Sequence, residues 1–300
     1  MNHFVLDGYE ALGTVWYIEV FDNEASYTKE VLIHTLEHAI QSFQKNYSRF
    51  EPDSIVSTLN KQKKVPHDAR LLAILTCAHD VYVQTEGVFD IYIEGDLIKK
   101  GYGMQNNEIY KQEACCSDSP HGGISFFNVV DNQIILHGNK TIDLGGIGKG
   151  YLIDLLASLL KQEGITQFLI NGGGDMYGTH CNGEGIDVYL QHPRKKDMLI
   201  GKMKLMNKAF CSSSSYVRTW EHHGVMKNHF ISPSKEEVWA ASFVVADTAC
   251  VADMMATVLC VTSYNKELSY ALAQDTAVQF LAQHEDEELF GDLFPRISEC

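Results

Sequence analysis

The sequence predicts an α+β protein, a single unit of mixed sheets and packed helices. Segments rich in β-branched and aromatic residues are interspersed with segments whose apolar residues recur at helical spacing. No segment repeats at a fixed period, and strands and helices do not alternate regularly. That irregular mixture favours an α+β fold, or a layered α/β one, over a simple doubly wound sheet. A length of 300 residues suffices for one large domain or two modest ones. We expect one domain over 1–300.

Residues 12–21 (Leu-Gly-Thr-Val-Trp-Tyr-Ile-Glu-Val-Phe) read as a strand. Leu32, Leu36, Ile40, Phe43 and Tyr47 then fall on one helical face, predicting an amphipathic helix over about 26–46. Residues 48–54 (Ser-Arg-Phe-Glu-Pro-Asp-Ser) break it, and a short helix is expected at 54–62. Leu71, Leu72, Leu75, Ala78 and Tyr82 mark a second long helix ending near Gly87. Residues 99–123 combine glycines, asparagines and an adjacent cysteine pair without period, as a surface excursion would. Strands are expected at 124–130 and 133–137. After a glycine-rich run at 141–151, Leu152, Leu155, Leu156, Leu159 and Leu160 predict a helix. A strand at 166–170 leads into a second glycine cluster, 171–175. Strands at 185–190, 199–206 and 209–213, helices at 251–261 and 266–274, and a last strand at 277–282 complete the pattern. The acidic tail, 284–300, reads as a solvated end.

Composition narrows the partners. Apolar residues make up 45% and charged residues 21%, as in ordinary globular proteins. A formal net charge of −15 repels nucleic acid and anionic membrane, so neither is an expected partner. The first residues carry no basic region or long apolar run, and no window approaches the ~20 apolar residues of a membrane helix. Neither a leader nor a membrane anchor is therefore expected. The eight cysteines lack any Cys-x-x-Cys pair or framework spacing, which reads as reduced thiols in a cytoplasmic protein without structural zinc.

The chemistry concentrates at residues 141–151 (Thr-Ile-Asp-Leu-Gly-Gly-Ile-Gly-Lys-Gly-Tyr). Four glycines permit close approach to backbone, the following helix offers unpaired N–H groups, and Lys149 adds a full charge. Phosphate suits such a place. The run is not a P-loop: Gly148-Lys149 is followed by Gly150, and Asp143 stands where the first glycine belongs. Nor is it the dinucleotide fingerprint, because the third glycine is misplaced. The plain alternative is a tight strand-to-helix turn without a ligand. The second cluster, Asn-Gly-Gly-Gly-Asp at 171–175, strengthens the expectation of a phosphate-bearing cofactor.

Three further groups stand out. Asp253 and Thr257 are four apart and share a helix face, where their oxygens suit a hard cation such as Mg²⁺. A cap or a solvated face would give the same pair. His229, in Asn-His-Phe-Ile-Ser-Pro at 228–233, could share that site or be structural; His222 and His223 read as exposed in a polar turn. The run 211–218 (Cys-Ser-Ser-Ser-Ser-Tyr-Val-Arg) could supply hydroxyls and a cation to phosphate, or be a strand passing into a turn.

Taken in order, these pieces resemble the ApbE-type FAD:protein FMN transferases. The resemblance runs from Leu12-Gly13-Thr14 through residues 48–54, Gly87-Val88-Phe89-Asp90, 143–151, 171–175, 214–218 and 229–233 to 252–257. It implies a T-fold-like α+β domain that cleaves FAD at the pyrophosphate, attaches FMN to a Ser or Thr of an acceptor flavoprotein, and releases AMP. It implies that the Gly146 carbonyl, Asp253 and Thr257 hold Mg²⁺. FAD would then be lined by Leu12, Phe50, Val88, Phe89, Asp90, Asp143, Lys149 and Ile231, with His229 as base. The sequence departs from the family's usual pattern at Leu12, Ile55, Asp90-Ile91-Tyr92 and Ser232. Such losses keep two alternatives open, an FAD pyrophosphatase yielding FMN and AMP, and a non-enzymatic FAD-binding protein.

Overall fold

The computed structural model describes residues 3–22, 28–102, 126–195, 197–216, 218–231, 241–262, 277–281 and 289–290. An antiparallel eight-stranded sheet forms the frame. Its strands are β1 (Phe4–Ala11), β2 (Thr14–Asp22), β6 (Gln167–Gly172), β7 (Asp175–Gly178), β10 (Lys208–Ser214), β13 (Ala241–Ala246), β14 (Ala277–Leu281) and β15 (Leu289–Phe290), in that spatial order. A three-stranded sheet, in the order β3 (Lys64–Pro66), β5 (Gln133–Leu136), β4 (Phe127–Val130), lies apart from it. Two hairpins, β8 (Ile186–Gln191) with β9 (Leu199–Leu205) and β11 (Thr219–His222) with β12 (Val225–Asn228), complete the strands.

Six helices accompany them among the described residues: α1 (Lys29–Tyr47), α2 (Ile55–Gln62), α3 (Ala69–Gln84), α4 (Glu94–Lys99), α5 (Gly148–Gln162) and α6 (Ala249–Val261). The five residues expected on the inner face of α1 are its buried ones. Ser54 caps α2 by accepting from the Ser57 N–H, and Asp68 caps α3 by accepting from the Leu71 N–H, which sets where each helix starts. One contiguous core joins Trp16 and Ile18 of β2, Phe168 and Ile170 of β6, Leu36 and Ile40 of α1, Leu152 and Leu156 of α5, and Met254 and Val258 of α6.

The sheet and two helices position the site. Helix α6 packs on β10 and β13, and α5 on β6 and β7. The two helices meet so closely that a methyl group added at Gly150 would lie 2.2 Å from the Ala249 carbonyl oxygen and 2.8 Å from the Asp253 Cβ. Asp154 of α5 accepts from the N–H groups of Ala249 and Cys250, both at 2.8 Å, and so caps the first turn of α6 from its neighbour. Burial raises the Asp154 carboxyl to about 6, against the pull of those two N–H bonds.

Several expectations need correction. Leu12 and Gly13 are not strand but a two-residue turn with φ of 54° and 69°, the left-handed pair that a tight hairpin requires. The preceding strand β1 was not expected. The second glycine cluster is likewise a hairpin turn between β6 and β7, with Gly173 and Gly174 at φ of 72° and 99°. Helix α5 begins at Gly148, so Lys149 and Gly150 stand in its first turn rather than in a loop. His222 is half-buried in β11 and packs over Gly101. The excursion expected at 99–123 begins as the end of α4 and a turn through Tyr102; residues 103–123 lie outside the described residues. Within the expected solvated tail, Leu289 and Phe290 pair with β14. The helix expected at 266–274 and Ser232 also lie outside the described residues.

Candidate functional site

Two cavities adjoin where α5 begins. The larger, about 670 Å³, is lined by Val88, Phe89, Asp90, Asp143, Gly146, Lys149, His229, Ile231, Asp253 and Thr257. The smaller, about 450 Å³, is lined by Leu12, Arg49, Phe50, Tyr102, Asp143 and Lys149 among others. Asp143, Gly145, Lys149 and Arg218 border both, so the two are lobes of one site. Every residue that the sequence nominated therefore lines one lobe or the other.

Lys149 is the centre of charge. Its ammonium donates to both carboxylate oxygens of Asp253, at 3.1 and 3.2 Å, and pairs with Asp175. Asp175 and Asp253 are each 2% exposed. Burial works against the ammonium, but the Asp175 and Asp253 carboxylates outweigh it and hold its pKa above the usual lysine range. Burial raises the Asp175 carboxyl against the pull of Lys149, and a cation beside the two carboxylates would favour their charged forms. Asp253 also accepts from the Gly150 N–H at 3.0 Å, and Asp175 from the Ser212 N–H of β10 at 3.1 Å.

Gly146 and Thr257 are neighbours: a methyl group added at Gly146 would lie 3.6 Å from Thr257 Oγ1. The i, i+4 spacing puts Asp253 and Thr257 one turn apart on α6. Asp143 is held by its own loop, with Oδ1 accepting from the Gly145 N–H at 2.6 Å, while Oδ2 accepts from Arg49 Nε. Asp90 accepts from the Tyr92 N–H and lies 3.8 Å from the Lys140 ammonium; burial raises its carboxyl despite both. On the far wall, burial first and the Arg218 charge second push the His229 imidazole down to about 4. Its Nδ1 is buried without a hydrogen-bond partner. Phe89 is only 4% exposed, whereas Phe50 is 56% exposed.

Three residues that line this site, Asp175, Arg49 and Tyr102, have no role assigned from the sequence, and Trp220 packs beside Tyr102. Asp175 ends the second glycine cluster, and only the β6–β7 hairpin turns it toward Lys149. Arg49 precedes Phe50 in the first motif, and its pairing with Asp143 spans 94 positions of chain. Tyr102 and Trp220, with ring centroids 5.0 Å apart, meet because the Trp220 indole N–H donates to the Lys100 carbonyl at 2.7 Å. No local pattern signals such pairings. Among the described residues no three His, Cys, Asp or Glu side chains gather as a metal cage, and no helix is long and apolar enough to cross a membrane.

Known proteins share this fold. The FAD:protein FMN transferase of Escherichia coli K12 is 26% identical over 94% of this chain and 85% of its own length. That of Haemophilus influenzae is 23% identical over 91% of this chain and 84% of its own. The solved ApbE protein of Thermotoga maritima superposes with a TM-score of 0.81 at 19% identity, covering 97% of both chains. The flavin transferase ApbE of Vibrio cholerae superposes with 0.80 at 18% identity and the same coverage. The sequence profile of the ApbE family matches residues 12–281, and the chain belongs to the ApbE family.

Proposed function

We propose that the protein is an FAD:protein FMN transferase that uses Mg²⁺ and a Ser or Thr of an acceptor flavoprotein. The observation that carries this is the half-buried Lys149 ammonium shared by Asp175 and Asp253 at the junction of two cavity lobes. A pyrophosphate is an anion with a ring system at either end in FAD. A cationic centre between two lobes suits such a ligand.

The residues present fit a hard cation. Gly146 would offer its carbonyl, Asp253 its carboxylate and Thr257 its hydroxyl, and the excess carboxylate at this centre favours positive charge. Mg²⁺ takes one or two protein carboxylates and completes its shell with phosphate oxygens and water, so no acidic cage is needed. When bound it neutralises the pyrophosphate oxygens and stabilises the charge developing on the departing AMP. Lys149 adds a second positive charge, held in place by Asp175. His229, neutral well below pH 7, is able to accept a proton from an incoming hydroxyl. In the overall exchange the acceptor oxygen forms a bond to the FMN phosphorus, the bond from that phosphorus to the bridging oxygen breaks, and AMP leaves. Water in place of the acceptor would give FMN and AMP.

A cytosolic location is part of the same proposal. It is supported by the five described cysteines, all free thiols, including Cys77 and Cys250 with their sulfurs 3.5 Å apart.

The test is incubation with FAD, Mg²⁺ and a flavoprotein domain carrying a Thr or Ser attachment site. A fluorescent adduct that survives denaturation, with equimolar AMP, is expected. AMP release without adduct would make the protein a hydrolase, and tight FAD binding without AMP a carrier. Either result would overturn the transferase assignment.

A further inference from the structure

Two of the free thiols face each other outside the cavity. Cys77 belongs to α3 and Cys250 to the first turn of α6, 173 positions along the chain, and their sulfurs lie 3.5 Å apart. Neither residue lines either lobe, and neither has a part in the proposed chemistry. The sulfurs need only close from that separation to the roughly 2.05 Å of a disulfide. Cys211 and Cys260, by contrast, are fully buried and donate to the carbonyls of Ala249 and Ser213.

The two facing thiols are not equivalent. Cys77 is partly exposed, whereas Cys250 is buried. A hydrogen bond from Cys250 lowers the Cys77 thiol from its ordinary value, against the effect of burial. The same contact first, and burial second, push the Cys250 thiol up. An accessible, more acidic thiol backed by a buried one is the arrangement of an attacking and a resolving cysteine.

The place of the pair connects it to the site. Asp154 holds the Cys250 N–H, and the neighbouring Ala249 carbonyl packs against Gly150 with no room for a methyl group. The first turn of α6 therefore has no slack against α5, and Asp253 follows Cys250 by three residues on the same helix. A covalent tie to α3 shifts this turn, and Asp253 with it, relative to Lys149.

We propose that Cys77 and Cys250 are an oxidation site, where hydrogen peroxide closes a reversible disulfide that slows turnover by displacing the first turn of α6. The effect on turnover rests on the proposed transferase reaction; the disulfide does not. The Cys77 thiolate attacks one peroxide oxygen, the O–O bond breaks, and the departing hydroxide takes a proton and leaves as water. The Cys250 sulfur then attacks the sulfenic sulfur of Cys77, the S–O bond breaks, and hydroxide leaves as water with the Cys250 proton. The two thiols give up two electrons and two protons in all, and the peroxide is reduced to water. In a compartment that keeps thiols reduced, such a disulfide is transient and redox-sensing.

The test exposes the reduced full chain to hydrogen peroxide, blocks the remaining thiols and maps cross-linked peptides by mass spectrometry. A peptide pair joining Cys77 to Cys250, lighter by two hydrogens and separated by dithiothreitol, is expected. AMP release with FAD, Mg²⁺ and acceptor should fall about 10- to 100-fold on oxidation, the scale of a ~1 Å misplacement, and return on reduction. Cys77→Ser, at a partly exposed position, should keep the reduced rate and lose both the cross-link and the sensitivity to peroxide. Absence of a Cys77–Cys250 cross-link would overturn the inference, as would a cross-link between other cysteines in its place. A cross-link with unchanged turnover would overturn the regulatory half, and so would a Cys77→Ser variant that peroxide still inhibits. Protein that forms the cross-link yet releases no AMP even when reduced would overturn the proposed function and uphold the oxidation site.

Discussion

Asp253 sits at three interactions at once: the Lys149 ammonium, the Gly150 N–H, and the proposed cation. Removing its carboxylate should end turnover without emptying the site, because Asp175 still holds Lys149 and the ring contacts lie elsewhere. Asp253→Ala is expected to abolish AMP release while FAD affinity measured without Mg²⁺ changes less than about 10-fold, below the range of one lost charged hydrogen bond. Residual Mg²⁺-stimulated turnover would remove Asp253 from the metal site. His229 yields a pH prediction. A base must be neutral, and burial with the Arg218 charge holds this imidazole at about 4. Activity should therefore be flat through pH 6.5, where an ordinary histidine titrates, and fall only as pH drops through about 4. His229→Gln should cost about 10²–10⁴ in kcat and remove that acidic limb. An inflection near pH 6.5 in wild type that the variant lacks would show His229 to be unperturbed. At this scale Asp253 and Thr257 were legible in the sequence because helical spacing puts residues four apart on one face. Asp175 and Arg49 were not, since each finds its partner through long-range packing.

The crossing of α5 over α6 is what brings Lys149 to Asp253. Gly150 permits it: the contact is with Ala249 backbone, so no side-chain rotation can relieve an added methyl group. Gly150→Ala should separate the helix starts, lowering unfolding free energy by about 1–3 kcal/mol and weakening Mg²⁺-dependent FAD binding together with it. Chemical denaturation and a Mg²⁺ titration of FAD affinity check the two effects; a stability loss with metal dependence unchanged would show that the crossing does not set the site. One of the four glycines that suggested ligand approach thus serves helix packing instead. The hairpin turns at Leu12-Gly13 and Gly173-Gly174 have a similar lesson. Their positive φ values serve chain reversal, and Leu12, Gly13 and Gly173 also line the site.

Across the whole molecule, a formal charge of −15 must be held in one folded body. Its self-repulsion is screened by salt, whose Debye length shortens from roughly 30 Å at 0.01 M to about 8 Å at 0.15 M. Thermal melts over that range should show the midpoint rising by about 2–4 °C; a falling midpoint would mean that attractive surface pairs dominate. The periodicity of α1, α3, α5 and α6, the β-rich runs and the ordered motifs were all determined by the sequence alone, because each depends on residues close together in the chain. They carried the α+β class and the family resemblance. Only the tertiary structure decided that the glycine clusters divide between turn, helix start and helix crossing. It alone decided that Asp175 shares Lys149 with Asp253 and that Arg49 pairs with Asp143. Those are balances between burial and charge, set by groups tens of positions apart that meet only when the sheet and its helices close around them.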